Sequence, residues 1–245
     1  MRESWVAPGP VDHAADLLLG RTCAGCDRPG PLLCPDCREW LDGWGPRLVR
    51  PRPAPAGLPE VAASAPYVGP LRPIIHRYKE GGAWALAGVL GERVALAGAL
   101  VLATAAREGR WDAIAEVLVV PAPSRPQAVR RRGSDVTARL AGRASARLRA
   151  LSRAAVRADA VLATTGPTAD QAGLGTAARR ANLDHRLRLR HPVPPGRPVL
   201  LVDDVITTGA TLREMTRVLH TAGCPVLGAA TVGATPRDPD SRAGR

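Results

Sequence analysis

The sequence lacks phenylalanine altogether, and its few tryptophans and tyrosines bring the aromatic content to only 3%. The core must therefore consist of aliphatic side chains, which the 45% hydrophobic content supplies in runs of Val, Ala and Leu. Lysine is also nearly missing, since Lys79 is the only one and the other strongly basic residues are all arginines. This bias is typical of a GC-rich genome, so part of the net charge of +12 is attributed to composition. The remaining excess favours anionic partners, namely phosphates, nucleic acid or acidic membrane surfaces.

The sequence also lacks a segment with the character of a membrane span. The apolar stretch 84–106 is interrupted by Glu92, Arg93 and three glycines, which favours a buried or amphipathic helix. The N-terminus has no continuous apolar stretch followed by a small-residue cleavage site. These two absences predict a cytoplasmic protein with no membrane span.

The density of proline predicts how the chain is divided. Residues 46–60 contain too many prolines for a helix or a central strand, so we expect a semi-rigid linker there. We expect an N-terminal module over 1–45, a larger domain over 61–234 and a disordered tail over 235–245. A chain of 245 residues is long enough for one medium domain plus such an appendage.

Compact apolar runs alternate with helical patterns in the larger domain. The predicted strands are 61–68, 116–121, 160–164, 198–203 and 226–232. The predicted helices are 71–78 (or a turn), 84–107, 134–153, 174–182 and 211–222, with a weak helix over 1–19 and an arginine-rich loop over 124–133. This alternation predicts an α/β fold with a mostly parallel sheet covered on both faces.

The most informative stretch runs from Pro198 to Leu212. Its buried strand leads to Asp203 and Asp204, and ligands of open α/β sheets bind beyond the carboxyl ends of the strands. The small residues that follow turn into a helix, whose positive end and exposed N–H groups form an anion site. The residues expected to hold a monophosphate there are Thr207, Thr208, Gly209, Ala210 and Thr211. The two carboxylates suit the hydroxyls of an attached sugar, or a Mg²⁺ that bridges those hydroxyls and a pyrophosphate.

Four of the five cysteines form two CxxC pairs close together in the chain: Cys23, Cys26, Cys34 and Cys37. In a cytosolic chain this pattern favours a metal over disulfides. Four thiolates satisfy a closed tetrahedral Zn²⁺ site, so a structural role is predicted, with two disulfides or an iron–sulfur cluster as alternatives. Cys224 is expected in the core. Trp40 and Trp44 are expected to pack the module against the main domain rather than stack on nucleic acid.

The run from Val199 to Thr211 resembles the phosphoribosyl pyrophosphate signature of type I phosphoribosyltransferases. By that resemblance the two aspartates hold the ribose hydroxyls and the threonine loop holds the 5-phosphate. The two CxxC pairs, the segment 67–79 and the segment 171–182 are similar to segments of one branch, the competence-associated ComF family. The resemblance covers roughly residues 20–232. It implies a type I phosphoribosyltransferase fold preceded by a small zinc-binding module.

The same resemblance implies partners for the pyrophosphate, which are Lys79, Arg131 and Arg132. On the acceptor side it gives a set that suits a helix cap equally well: Gln171, Arg179, Arg180 and Asn182. Positions 134–136 are Ser-Asp-Val where the family has Phe-Asn-Gln. If that tripeptide orders a closing loop or contacts the acceptor, this protein lacks its side chains, and Asp135 adds negative charge near an anionic substrate. No catalytic residue is assigned, and His76 is expected to be a packed or surface residue.

Two functions follow, and they are compatible with each other. One is transfer of a phosphoribosyl group from phosphoribosyl pyrophosphate, with Mg²⁺, to an acceptor that the sequence does not identify. The other, implied by the ComF resemblance, is handling of incoming single-stranded DNA beside a DNA-uptake helicase, with the phosphoribosyl site as a sensor or phosphate pocket. The net charge of +12 supports the second function, whereas the scarcity of aromatic stacking platforms weakens it.

Overall fold

The structure is a computed structural model of the chain that describes residues 21–112, 115–151, 155–165 and 187–236. Its strands are β1 (Arg47–Val49), β2 (Val61–Pro66), β3 (Val117–Pro121), β4 (Val156–Ala158), β5 (Leu162–Thr164), β6 (Leu187–Leu189), β7 (Val199–Ile206) and β8 (Val226–Ala234). Its α-helices are α1 (Pro35–Asp42), α2 (Leu71–Glu80), α3 (Ala87–Arg107), α4 (Pro126–Arg132), α5 (Val136–Leu151) and α6 (Ala210–Thr221), and a 3₁₀ helix at Trp84–Leu86 precedes α3.

The central sheet has the strand order β1-β2-β8-β7-β3-β4. All neighbouring strands in it are parallel except the edge strand β1, which runs antiparallel to β2. Strands β5 and β6 form a separate antiparallel pair. The prediction of an α/β fold with a mostly parallel sheet is therefore confirmed. Strand β7 lies between β3 and β8, so its carboxyl end opens at the middle of one sheet edge.

Aliphatic side chains fill both faces of the sheet, as the lack of phenylalanine required. Helices α3 and α5 cover one face, where Leu90, Val101 and Leu148 are fully buried. Helix α6 and the β5–β6 pair cover the other face, where Met215 and Leu219 are fully buried. Among the described residues, one helical segment, Trp84–Arg107, is long and apolar enough to span a membrane, but 61% of its apolar window is buried inside the protein. A core helix of a folded domain has these same properties.

The arginine-rich segment predicted as a loop over 124–133 contains the helix α4. Pro126 occupies the first turn, where its missing N–H group costs nothing, and Gly133 ends the helix with a φ of +71°. The loop prediction was wrong because proline and a run of arginines were taken as loop formers without regard to these two boundary positions.

Three short strands escaped prediction, namely β1, β4 and β6. Each has only three residues, which is too short for a periodic pattern to stand out. Strand β1 lies inside the segment 46–60 that was predicted as a linker, and it occupies the sheet edge, where proline-rich neighbours are tolerated. The predicted helices over 1–19 and 174–182 lie outside the described residues.

Candidate functional site

A cavity of about 480 Å³ lies at the carboxyl ends of β3 and β7, between α2, α5 and the start of α6. Six of the residues predicted from the sequence line it: Lys79, Arg132, Asp203, Asp204, Thr207 and Thr211. They come from three separate segments of the chain, so the fold brings together side chains that the sequence could only associate by resemblance. The cavity is the candidate ligand site because acidic, hydroxyl and basic groups converge in it.

The loop after β7 has the geometry of an anion site. The strand continues through both aspartates to Ile206, and Thr207, Thr208 and Gly209 then turn the chain into α6. Gly209 has a φ of +77°, and a methyl group there would lie 2.8 Å from Cδ1 of Leu58. The position therefore requires glycine for its backbone conformation and for the close approach of Leu58.

The open side of this loop presents hydroxyl groups to solvent. Thr207, Thr208 and Thr211 are exposed, and the Oγ1 of Thr208 accepts a hydrogen bond from the backbone N–H of Ala210 at 3.4 Å. The first N–H groups of a helix have no acceptor within that helix. The first turn of α6 consequently offers donors and a positive dipole end to an anion seated at the threonines.

The two aspartates at the end of β7 differ in their surroundings. Asp204 has a side chain only 8% exposed, and its Oδ2 lies 2.7 Å from Nζ of Lys79. Oδ1 of Asp203 accepts a hydrogen bond from the backbone N–H of Asp204 at 2.9 Å. Burial, and next the negative charge of Asp204, raises the pKa of Asp203 well above its ordinary value. Asp203 and Asp204 therefore need a nearby positive charge for both carboxyl groups to be ionised.

Lys79 supplies part of that missing charge from α2. Burial alone would lower the pKa of Lys79, but the charge of Asp204 and the hydrogen bond to it raise the pKa above its ordinary value. The ammonium group is thus held in its charged form inside the cavity. A ligand with a pyrophosphate group would compete with Asp204 for this cation.

The two arginines predicted for the pyrophosphate face in different directions. Arg132 lines the cavity, where its Nε donates to the backbone oxygen of Ala128 at 3.1 Å. Its Nη1 is buried and has no hydrogen-bond partner among the described residues. Arg131 instead forms an ion pair with Glu80 and does not line the cavity. Arg132 thus offers a free donor to a ligand, whereas Arg131 is occupied elsewhere.

The structure assigns the tripeptide at 134–136 to the start of α5. Oδ1 of Asp135 accepts hydrogen bonds from the backbone N–H of Ala138 at 3.1 Å and from the hydroxyl of Ser124 at 2.9 Å. This is the geometry of a helix N-cap. Val136 is buried, and its backbone oxygen accepts a 2.6 Å hydrogen bond from the hydroxyl of Tyr78. Asp135 is absent from the cavity lining, so its charge serves the helix end and the adjoining loop.

Some predicted residues lie outside the described part of the chain, and some lining residues were not predicted. Gln171, Arg179, Arg180 and Asn182 all fall between residues 166 and 186, which the structure does not describe. The cavity is also lined by residues that the sequence did not single out as ligands: Tyr67, Glu80, Ser124 and Thr137. Tyr67 and Ser124 belong to motifs that were noticed, whereas nothing in the sequence marks Thr137, which is a buried threonine and the second residue of α5.

The four cysteines form a second candidate site. All four Sγ atoms lie within 4.8 Å of one another, and those of Cys26 and Cys34 are 3.7 Å apart. A tetrahedral zinc with sulfurs at about 2.3 Å requires sulfur–sulfur separations of about 3.8 Å. The backbone N–H groups of Gly25 and Cys34 each lie 3.3 Å from Sγ of Cys23. The donor set therefore fits a closed structural metal site.

The pKa values of the thiols indicate that the cluster needs a bound cation to be fully deprotonated. Burial would raise the pKa of Cys23, but hydrogen bonds from backbone groups outweigh it and lower this pKa to about 7. Burial raises the pKa of both Cys34 and Cys37. Four thiolates can therefore coexist only with a bound cation, which is the usual behaviour of zinc clusters. Cys224 lies apart from them in the core, as predicted.

Comparison with known proteins gives a family match for part of the larger domain. Residues 128–242 match the family model of the phosphoribosyl transferase domain. The DNA utilization protein YhgH of Escherichia coli O157:H7 is 41% identical over 63 residues, which cover 26% of this chain and 27% of that protein. The same protein from strain K12 is 40% identical over 63 residues, with the same shares. The match thus spans only 27% of the length of these curated relatives.

Two solved structures are also similar to this chain. Adenine phosphoribosyltransferase from Saccharomyces cerevisiae is 13% identical, with a TM-score of 0.31 over 80% of this chain and 87% of that chain. The corresponding enzyme from Rhodothermus marinus is 17% identical, with a TM-score of 0.26 over 81% of this chain and 95% of that chain.

Residues 128–242 thus match a phosphoribosyl transferase domain, and they belong to a fold with a mostly parallel sheet and a cavity at the end of its central strand. Beside this domain the chain carries a four-cysteine cluster, and part of the chain is similar to a DNA utilization protein. The resemblance inferred from the sequence is confirmed at this level.

Proposed function

We propose that the cavity binds phosphoribosyl pyrophosphate together with Mg²⁺ and that the protein transfers the phosphoribosyl group to an acceptor in the cytoplasm. The observation that supports this most directly is the opposition, across one cavity, of Asp203 and Asp204 to Lys79 and Arg132. The acids match the hydroxyls of a ribose, the threonine loop matches its 5-phosphate, and the two basic groups match a pyrophosphate. An ordinary strand–turn–helix would not require this arrangement.

Each side chain then has a defined task. The hydroxyls of Thr207, Thr208 and Thr211 and the N–H groups of the first turn of α6 hold the 5-phosphate. Nζ of Lys79 shifts from Asp204 toward the pyrophosphate, and the unpartnered Nη1 of Arg132 donates to it. Carboxylate oxygens of the aspartates are suitable ligands for Mg²⁺, which would neutralise pyrophosphate charge.

The reaction itself breaks the bond between C1 of the ribose and the pyrophosphate oxygen, and the electron pair leaves with pyrophosphate. The acceptor's nucleophilic atom forms a new bond to C1 and releases its proton. Positive charge develops on the ribose in between, so the site acts by positioning and by charge stabilisation. No general base is assigned, and the acceptor is a subject for an unbiased screen of bases and amines.

Calorimetry with phosphoribosyl pyrophosphate and Mg²⁺ tests the binding step. We expect saturable binding to the wild type and its loss in the double variant Asp203→Asn plus Asp204→Asn. The control is Glu39→Gln plus Glu108→Gln, which removes the same number of negative charges from exposed positions. No binding by the wild type, or equal binding by both double variants, would refute the proposal. Pyrophosphate release with an added acceptor then separates an enzyme from a sensor.

A row of arginines favours single-stranded DNA binding as a second candidate function. Arg139, Arg143 and Arg147 are exposed on α5 and follow one another at four-residue spacing, about 6 Å per step. The row extends toward the cysteine module, because Nη2 of Arg147 and Nη2 of Arg38 each lie 3.5 Å from a carboxylate oxygen of Glu92. The phosphates of a single DNA strand could follow such a row of arginines. This agrees with the partial similarity to a DNA utilization protein.

A salt titration of binding to a fluorescent oligonucleotide tests this second function. We expect affinity to fall steeply with salt, and to fall less steeply when the three arginines of α5 are changed to glutamine. A matched variant changes three exposed arginines away from this row: Arg107, Arg157 and Arg188. No binding at low salt, or the same loss from both triple variants, would eliminate the row as a DNA site.

A further inference from the structure

Helix α2 connects the four-cysteine cluster to the ligand cavity. On one side of α2, Nη1 of Arg77 donates to the backbone oxygen and to Oγ1 of Thr22, at 3.2 and 2.9 Å. The same guanidinium forms an ion pair with Asp27, which lies in the loop between Cys26 and Cys34. Arg77 therefore ties α2 to the turn that carries the first cysteine pair.

The beginning of α2 also rests on the module. A methyl group at Gly25 would lie 3.2 Å from Cβ of Pro70, the residue that precedes α2. A methyl group at Gly69 would lie 3.5 Å from Cζ2 of Trp40. The module thus contacts α2 at its start and, through Arg77, near its end. Both contacts are made by residues close to the cysteines.

The opposite side of α2 faces the cavity. Ile75, His76 and Lys79 of this helix line it, and Lys79 reaches Asp204. Arg77 and Lys79 are two residues apart, which places them about 200° apart around the helix axis. One side chain can therefore hold the helix to the module while the other points into the cavity.

We infer that Arg77 is a positioning residue for Lys79, and that metal in the cysteine cluster strengthens the cavity's affinity for its phosphoribosyl ligand by way of this helix. The inference rests on the proposed function for the identity of that ligand. The part that concerns Lys79 itself does not depend on any ligand.

The physical reason is the small core of the module. Among its described residues, Ala24 and Leu41 are the apolar side chains that are nearly or fully buried besides the cysteines. Such a segment depends on its metal for much of its folding free energy. Loss of the metal would release Thr22 and Asp27, and with them the partners of Arg77.

A separate set of contacts holds the end of the module to α3. Nη2 of Arg93 donates to the backbone oxygens of Trp44 and Ser64, the latter at 3.0 Å. Replacement of Arg77 therefore weakens one connection without detaching the module. The Arg77→Gln variant can thus be compared with the wild type in the same metal-bound state.

The single lysine of the chain makes the test direct. Reductive methylation with ¹³C-formaldehyde labels Lys79 and the α-amino group, whose signals separate because their pKa values differ. The chemical shift of dimethyl-Lys79 at fixed pH then reports the surroundings of its ammonium group. We compare zinc-loaded wild type, the same protein after chelation under reducing conditions, and zinc-loaded Arg77→Gln.

The matched control is Arg28→Gln. Arg28 forms an ion pair with Asp36 at 2.7 Å, and both side chains are exposed within the module. This variant removes an arginine–aspartate pair of the module that does not reach α2. Asp27→Asn serves as a second variant that weakens the connection from the module side without altering α2.

We expect chelation, Arg77→Gln and, to a smaller degree, Asp27→Asn to move the Lys79 signal in the same direction, while Arg28→Gln leaves it unchanged. Affinity for phosphoribosyl pyrophosphate should fall about 5- to 20-fold in the first two cases, a typical size for coupling between sites. A Lys79 signal that chelation and Arg77→Gln both leave unchanged would overturn the inference.

The two proposals fail in distinguishable ways. If the Lys79 signal moves but no form binds phosphoribosyl pyrophosphate, the proposed function is wrong and the connection through α2 stands. If the zinc-loaded wild type binds the ligand and neither chelation nor Arg77→Gln alters the Lys79 signal or the affinity, the connection is wrong and the function stands.

Discussion

The two walls of the cavity are built in opposite ways. The acidic and hydroxyl wall comes from one continuous segment, the end of β7 and the start of α6, with Asp203, Asp204 and the threonine loop in sequence. The basic wall comes from two separate helices, with Lys79 on α2 and Arg132 on α4. The first wall is local in the sequence, and the second exists only in the folded protein.

The difference shows in their electrostatics. The local wall places two carboxylates next to each other, so burial and mutual repulsion raise the pKa of Asp203. The assembled wall supplies the cation that stabilises the pair, through the 2.7 Å contact of Lys79 with Asp204. The two adjacent carboxylates by themselves destabilise the folded protein. A cation from a distant part of the chain compensates for part of that cost.

The largest effect on stability is expected from Lys79→Met, which takes the cation from the assembled wall. Asp204 has a side chain only 8% exposed and would lose its partner. Breaking a buried pair costs about 3–5 kcal/mol, and the partial exposure of Lys79 reduces this to about 1–3 kcal/mol. Urea unfolding measures the change. Adding Asp204→Asn should recover most of the loss, and a double variant as unstable as Lys79→Met alone would contradict the comparison.

Gly209→Ala should lower the free energy of unfolding by about 1–2 kcal/mol, because φ is positive at this position of the local wall. It should also weaken binding of phosphoribosyl pyrophosphate, since the loop would move away from Leu58. Gly223→Ala is the matched control, because Gly223 has a φ of +75° and follows α6 away from the cavity. It should cost similar stability and leave the affinity intact. Equal losses of affinity would show that the loop geometry is not specific.

Asp135→Ala should cost about 1 kcal/mol of stability, because it removes the N-cap of α5 behind the assembled wall. Asp135→Asn should cost less, since its amide oxygen can still accept both hydrogen bonds. Thermal unfolding of both variants measures these effects. Tighter ligand binding by Asp135→Asn would mean that the charge of Asp135 does act on the ligand.

The smallest effect, and one of opposite sign, is expected from Asp203→Asn. Because the pKa of Asp203 is raised in the folded state, that state binds more protons than the unfolded chain between the ordinary pKa and the raised one. The free energy of unfolding should therefore fall as pH rises through this window, and the penalty is fully present above it. Asp203→Asn should be more stable there and lack this slope, whereas the exposed Glu108→Gln should keep it. A wild type and Asp203→Asn with the same pH dependence would contradict the assignment.

Much of the candidate site could be predicted from the sequence because its chemistry is contiguous. The strand, the aspartates and the loop of β7–α6 follow one another without interruption, so local patterns were sufficient. The helix α4 was missed, since its length of seven residues gives no clear period and its proline suggested a loop. The tripeptide at 134–136 was interpreted as a departure from a ligand-binding motif, and only the structure shows that the side chain of Asp135 caps the helix predicted there, by accepting a hydrogen bond from the backbone N–H of Ala138.

By itself, the sequence determined the α/β class, the threonine-rich loop after β7 and the clustering of four thiols, because each depends on residues close together in the chain. Only the tertiary structure decided that Lys79 pairs with Asp204, that Arg132 and not Arg131 lines the cavity, and that α2 joins the cavity to the cysteine cluster. These contacts join segments far apart in the chain. Their geometry follows from how helices pack on the sheet, which local periodicity does not contain.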